Sequence, residues 1–211
     1  MKLFLDTADV KSVKARLSTG LISGITTNPT LIFKSGRHPQ TVYQELIKLG
    51  IDDISMEVMG DSEDELFKNA MGHVKTYAEK ATIKLPCTID GLKACKRLSA
   101  VNVRTNVTLI FSPAQAILAS LAGATYISPF IGRMDDNSLD GMKLINDISN
   151  TGVTAQILAA SIRDPQSVGT AFALGADICT VPTDVFDRMY NHVLTDKGLE
   201  QFERDNAGTS D

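Results

Sequence analysis

A lysine set in an otherwise apolar strand is the residue of this 211-residue chain that most invites chemistry. Lys84 lies in ATIKLPC, where alternation sets Ile83 and Leu85 on one face and Thr82 and Lys84 on the other. With that second face turned to an enclosed interior, the side chain loses hydration, which disfavours the ammonium and favours the neutral amine that adds to a carbonyl. A Schiff-base nucleophile follows. Glu57 and Asp6 end two earlier apolar runs, and could share the proton transfers by which a carbinolamine loses water and a carbon–carbon bond breaks. Plainer roles stand beside these: Lys84 as an edge-strand lysine or one paired with Glu57, and Asp6 as the cap of a helix starting near Ala8. Arg133 and Arg163 supply guanidinium forks that suit a phosphate, with Ser161 adding a hydroxyl. Their plainer role is pairing with Asp135, Asp136 or Asp164.

The elements that must position these groups show in the periodicity. Eight β-rich runs, at 3–6, 21–27, 53–58, 81–86, 103–111, 124–130, 153–161 and 176–182, alternate with helix-period segments. About 26 residues per unit is close to a strand–helix–strand crossover, and fits a compact (β/α)8 TIM barrel in one domain, residues 1–211. An open doubly wound sheet is the alternative, because periodicity does not say whether parallel strands close. Helix starts support the parsing: Asp61 or Ser62 before Glu65, Ser112 before Pro113 and Asp164 before Pro165, with Gly123 and Gly175 at C-terminal caps. KSGRHPQ at 34–40 reads as a loop, and DKGLEQFERD as an extra C-terminal helix beyond the eighth unit.

In such barrels chemistry sits where the strands end. Polar residues stand at nearly every exit: Asp6, Thr27 and Asn28, Glu57, Lys84, Asn106 and Thr108, Ser128 and Arg133, Ser161 and Arg163, then Thr183 and Asp184.

Composition closes off other classes. With 43% apolar and 22% charged residues the chain is ordinary for a globular protein. Twenty-one basic against 25 acidic residues leave no surplus for a phosphate-backbone footprint, so no nucleic-acid partner is expected. The uncharged stretch between Arg104 and Arg133 is long enough to span a bilayer, but Asn106, Thr108, Pro113, Gln115, Gly123 and Pro129 divide it into strand, helix and strand, so no membrane role is expected. The N-terminal apolar run, broken at Asp6, is too short for a signal peptide. Cys87, Cys95 and Cys179 form no CxxC pair, have no nearby histidine to complete a zinc site, and suit a reducing cytoplasm. His38, His73 and His192 read as surface histidines.

Together FLDTAD at 4–9, GITTNPTLI at 24–32, SMEV at 55–58, IKLPCTIDGLKA at 83–94, NVTLIFSPAQA at 106–116, ISPFIGRMDD at 127–136 and AASIR at 159–163 resemble the transaldolase family, in its small single-barrel branch that includes fructose 6-phosphate aldolases. The resemblance implies a metal-free, cofactor-free aldol transfer between sugar phosphates, with Lys84 as the Schiff-base lysine. Asp6 then matches the acid/base group, Asn28 and Asn106 the amides holding a dihydroxyacetone unit, and Glu57 with Thr108 the pair that positions water. Thr27 and Ser128 lie beside the substrate, and Arg133, Ser161 and Arg163 match phosphate-binding positions. The aldolases carry glutamine where this chain has Glu57 and tyrosine where it has Phe130, so the resemblance favours transaldolase; an aldolase releasing free dihydroxyacetone and a catalytically silent sugar-phosphate binder are the alternatives. It also implies ring-shaped homo-oligomers, pentamers or decamers, in which the terminal helix packs on a neighbour. The tail departs from the pattern, having no tryptophan, and with the brevity of the chain resembles small phage-encoded transaldolases.

Overall fold

A computed structural model describes residues 1–208. Its strands are β1 (Lys2–Asp6), β2 (Gly24–Thr26), β3 (Ile54–Glu57), β4 (Ala81–Pro86), β5 (Thr105–Ile110), β6 (Tyr126–Pro129), β7 (Gln156–Ala159) and β8 (Ile178–Val181). All pair in parallel with their sequence neighbours, and β8 returns to β1, so the sheet closes and the open-sheet alternative is excluded. The helices are α1 (Val10–Leu17), α2 (Pro29–Ser35), α3 (Pro39–Lys48), α4 (Glu63–Tyr77), α5 (Ile89–Ala100), α6 (Pro113–Leu121), α7 (Ile131–Asp136), α8 (Gly141–Ser149), α9 (Pro165–Ala173), α10 (Thr183–Arg188) and α11 (Val193–Gly208). The uncharged stretch after Arg104 becomes β5, α6 and β6, and among the described residues no helix is long and apolar enough to cross a membrane.

Capping side chains start the helices where the sequence placed them: Ser62, Ser112 and Asp164 each accept a backbone N–H one turn ahead. Asp9, not Asp6, caps α1, accepting from the Lys11 N–H at 3.0 Å. Asp6 is thereby free of the capping role. Most of the 34–40 loop is helical: Lys34 and Ser35 end α2, Pro39 and Gln40 start α3, and Gly36 at φ 64° makes the left-handed turn between them.

The apolar residues form two layers. Leu5, Ile25, Ile54, Ile83, Leu85, Val107 and Ile127 pack between the strands and the helices, each contributing about 1.5–3 kcal/mol of burial. Inside the barrel, Phe4, Tyr126, Leu158, Ala160 and Ile178 fill the β1, β6, β7 and β8 side. Gly24 makes room for this inner layer, since a Cβ there would come within 2.6 Å of the Phe4 ring. Most of the remaining inner positions are polar and buried: Thr26, Asp53, Ser55, Thr82, Lys84, Asn106, Thr108, Ser128 and Thr180. At the N-terminal end Asp53 accepts from Thr82 Oγ1 at 2.7 Å, Tyr126 Oη at 2.6 Å and an Arg104 guanidinium nitrogen at 3.0 Å.

His73 departs from the surface expectation. It is half-buried, ring to ring with Tyr43 at 5.9 Å and Tyr77 at 5.8 Å.

Candidate active site

Strand register assembles the site. Glu57 of β3 lies opposite Lys84 of β4, and Lys84 opposite Asn106 of β5, so three adjacent strands deliver three polar side chains to one interior level. Lys84 is 5% exposed. Its Nζ stands 3.3 Å from Glu57 Oε2 and donates to the Thr27 carbonyl at 3.2 Å. The pairing offered by the sequence as the plain role of Lys84 is therefore present. It does not retire the amine, because both partners line a cavity of about 340 Å³ open to solvent at the C-terminal ends of the strands.

Asn28, Thr108, Phe130 and Arg133 line the same cavity. Asn28 caps α2, its Oδ1 taking the Leu31 N–H at 2.9 Å, which fixes the side chain at the rim. Thr108 is 1% exposed, and its hydroxyl has no hydrogen-bond partner among the described residues. A buried hydroxyl left open beside a carboxylate and an amine is a seat for water or substrate oxygen. The backbone turns sharply just after it: Leu109 has φ 60° and the β5–β6 register shifts between Val107 and Ile110, a bulge of the kind found beside active sites. The Phe130 ring centre is 5.9 Å from Lys84 Nζ and 5.2 Å from the Arg133 guanidinium carbon.

Asp6 faces Thr26 across the β1–β2 register, and the Thr26 hydroxyl donates to Asp6 Oδ1 at 2.8 Å. With that proton engaged, the contact of 2.6 Å between Thr26 Oγ1 and Thr180 Oγ1 has Thr180 as donor. Burial raises the Asp6 pKa above the ordinary aspartate value, while the Thr26 hydrogen bond and the positive charge of Lys84 pull it down. A carboxyl in this setting, with the charge of Lys84 felt nearby, suits proton exchange with a substrate hydroxyl.

The other sequence-predicted residues fall into two groups. Thr27, Asn106 and Ser128 support the pocket without lining it. Thr27 donates its hydroxyl to the Ser55 carbonyl at 2.9 Å, Asn106 Nδ2 donates to Ser55 Oγ at 3.1 Å, and Ser128 Oγ donates to Asn106 Oδ1 at 2.7 Å. Ser161 and Arg163 stand outside the cavity lining, at the exit of β7. Ser161 has φ 62°, and its carbonyl would lie 2.2 Å from a Cβ on Gly132, so only glycine lets α7 approach this turn. Arg163 makes the surface pairing with Asp136 that the sequence allowed, through both terminal nitrogens. Arg133 makes no ion pair among the described residues. Ser55, Thr26 and Thr180 were missed by sequence reasoning. Ser55 shares the alternating face of Glu57, which could have flagged it; for the two threonines the signal exists only once β1, β2 and β8 are neighbours. Among the described residues no group of three His, Cys, Asp or Glu side chains is arranged to hold a metal ion.

Fold and site define a closed (β/α)8 barrel with a buried lysine, two carboxyls and an unpartnered threonine at its C-terminal mouth. Solved structures of low identity share that fold: thiamine phosphate pyrophosphorylase from Pyrococcus furiosus (TM-score 0.59, 17% identity, 90% of this chain and 93% of that one) and inosine 5′-monophosphate dehydrogenase from Legionella pneumophila (TM-score 0.61, 16%, 88% and 58%). Sequence comparison is more specific. The family profile "Transaldolase/Fructose-6-phosphate aldolase" matches residues 3–210. Chains named "Probable transaldolase" are 49% identical over 213 residues in Caulobacter vibrioides (99% of this chain, 98% of that one) and 46% over 209 residues in Symbiobacterium thermophilum (97% and 96%). This chain belongs to the transaldolase/fructose-6-phosphate aldolase family.

Proposed function

We propose that the protein is a transaldolase, moving a dihydroxyacetone unit from a ketose phosphate to an aldose phosphate through an imine on Lys84. The observation that carries this reading is a nearly buried amine at the floor of a cavity, 3.3 Å from a carboxylate and sharing the lining with an unpartnered threonine hydroxyl. The Lys84 amine adds to the C2 carbonyl, and the carbinolamine hydroxyl leaves as water after taking a proton from Glu57, with Thr108 Oγ1 holding that water. Asp6 then removes the C4 hydroxyl proton. The C3–C4 bond breaks, its electron pair passes into the iminium to give a three-carbon enamine, and an aldose phosphate departs. The enamine carbon attacks the aldehyde of the acceptor, Asp6 returns its proton to the new hydroxyl, and water releases the product.

Asn28 holds the dihydroxyacetone hydroxyls at the rim, and Arg133 takes the phosphate with Ser161 and Arg163. For Arg163 this means exchanging the Asp136 carboxylate for phosphate, both being partners of a guanidinium fork. Phe130 supports transfer over release: its ring faces Lys84 Nζ without an acidic hydroxyl that could protonate the enamine.

One barrel domain carries the whole reaction, in the cytoplasm, a setting supported by cysteines that are all free. Association into ring-shaped homo-oligomers is supported by α11. None of its side chains is buried, and Val193, Leu194, Leu199 and Phe202 are 55–70% exposed, the apolar surface a second copy would cover.

A coupled assay with sedoheptulose 7-phosphate and glyceraldehyde 3-phosphate tests the reading. Transfer should depend on the acceptor, and borohydride with fructose 6-phosphate should fix a three-carbon adduct on Lys84. Release of free dihydroxyacetone at the transfer rate would make the enzyme an aldolase instead, and an unmodified Lys84 would remove the imine altogether.

A further inference from the structure

A second cavity reaches the same carboxylate from behind. About 620 Å³ in size, it lies between α3 and α4, and Glu57 stands in the walls of both cavities. Gln40 comes from α3, and Lys68, Gly72, His73 and Tyr77 from α4. Two polar atoms along it are buried without a partner among the described residues, Nδ1 of His73 and Oη of Tyr77, the latter in a residue 6% exposed. Buried polar atoms in folded proteins are paired, and where no protein group is in reach the partner is ordered water. A polar-edged cavity of this size is a place for it.

The aromatic groups here lead toward the nucleophile. Tyr43 stands edge-on to Tyr77 at 5.7 Å, its hydroxyl is 3.4 Å from Thr27 Oγ1, and the Thr27 carbonyl accepts from Lys84. The groups with titratable or charged character around His73 are Glu57 on β3, Tyr43 on α3, and Lys68 and Tyr77 on α4. Burial lowers the His73 pKa and raises those of Tyr43 and Tyr77, so all three are uncharged at neutral pH and able to hold water without adding charge.

We propose that this rear cavity carries the water of imine chemistry to and from Glu57 while sugar phosphate fills the front pocket. The proposal rests on the imine reading above. When the carbinolamine collapses, its hydroxyl takes the Glu57 proton, the C–O bond breaks to release one water, and the nitrogen lone pair forms C=N. Glu57 is left as carboxylate; hydrolysis of the product imine consumes one water, which returns a proton to Glu57 and so reverses each transfer. The water that leaves and the water that returns need a path that the bound substrate does not close.

Gly72 offers the means of closing it. A Cβ at this position would meet nothing within 4 Å, so a larger side chain enters open space and leaves the front pocket untouched. Rapid-quench borohydride trapping with fructose 6-phosphate should show imine formation about tenfold slower in Gly72→Leu and at the wild-type rate in Gly72→Ala, with the transfer-to-release ratio unchanged in both. His73→Phe, which keeps the ring packing and removes Nδ1, should slow the same step about threefold and enlarge its solvent isotope effect. Should Gly72→Leu fail to fold, His73→Phe alone decides. Trapping at the wild-type rate in a folded Gly72→Leu, or in His73→Phe where that variant decides, overturns the rear path and leaves the transaldolase reading standing. Absence of any Lys84 adduct in the wild type overturns both.

Discussion

At the N-terminal end of the barrel, both Asp53 oxygens are engaged, by Thr82, Tyr126 and Arg104, and Arg104 is held further by the Asp52 and Glu79 carbonyls. At the C-terminal end, Glu57 meets Lys84 at 3.3 Å and otherwise borders the front and rear cavities. Both sites put a carboxylate beside a base inside the same sheet. A buried charge with its bonding directions filled locks one arrangement of the strands, and removing a partner strands the rest. A buried charge with directions left open holds the fold less tightly, and its unspent interactions are available to a substrate. Tyr126 belongs to the first kind, burial and the Asp53 carboxylate holding its phenol protonated far above the usual range. Thr108 belongs to the second, with a hydroxyl that no side chain or backbone group among the described residues engages.

The contrast can be broken first at Lys84. Lys84→Met should lower turnover by at least ~10⁴-fold in the coupled assay, while the thermal midpoint moves only a few degrees. A collapse in stability would place Lys84 with Asp53 instead. Asp6→Asn should slow carbon–carbon cleavage by ~10²–10⁴-fold, yet leave borohydride trapping of the fructose 6-phosphate imine intact, because imine formation precedes the step that needs Asp6. At the opposite end, Asp53→Ala should reduce unfolding free energy in urea by ~3–5 kcal/mol and leave kcat of the folded protein within about twofold. A loss of kcat without loss of stability would erase the division between the two ends. The smallest effect belongs to Thr26→Val. Asp6 acts as a base only when ionised, and burial, by raising its pKa, should place the acid limb of the pH–rate profile above the ordinary aspartate range. Losing the Thr26 hydrogen bond, which stabilises the carboxylate, should move that limb further up the pH axis.

Much of the architecture is legible in the chain. All eight strands lie within or against the apolar runs, and most runs overrun the strand by one to three residues, more at its entry than at its exit. Two helices escape the periodicity. α2 announces itself only by Asn28-Pro29, a cap and first-turn signal within a short segment. α7 has no capping side chain, starting at Phe130 where the chain leaves β6, so its position is set by packing over Gly132 and not by a local signal. Of the site, Lys84 and Glu57 are visible as polar residues interrupting apolar strands. Arg163 is visible as a cation, but its pairing with Asp136, 27 residues earlier, is a fact of adjacent exit loops.

The sequence by itself determined which face of each strand carries polar groups, since the two-residue period of a strand fixes facing without knowledge of its neighbours. It also determined the family, through motifs spread over nearly the whole chain. Closure of the sheet was the decision of the tertiary structure, because pairing of β8 with β1 joins the two ends of the chain. Closure turns the polar faces toward one another, brings Thr180 to Thr26 and Asp6, and shuts Lys84 away from bulk water. Desolvation and hydrogen bonding act over a few ångströms in space, whatever the separation along the chain, so the reactivity of these groups is decided only when the barrel closes.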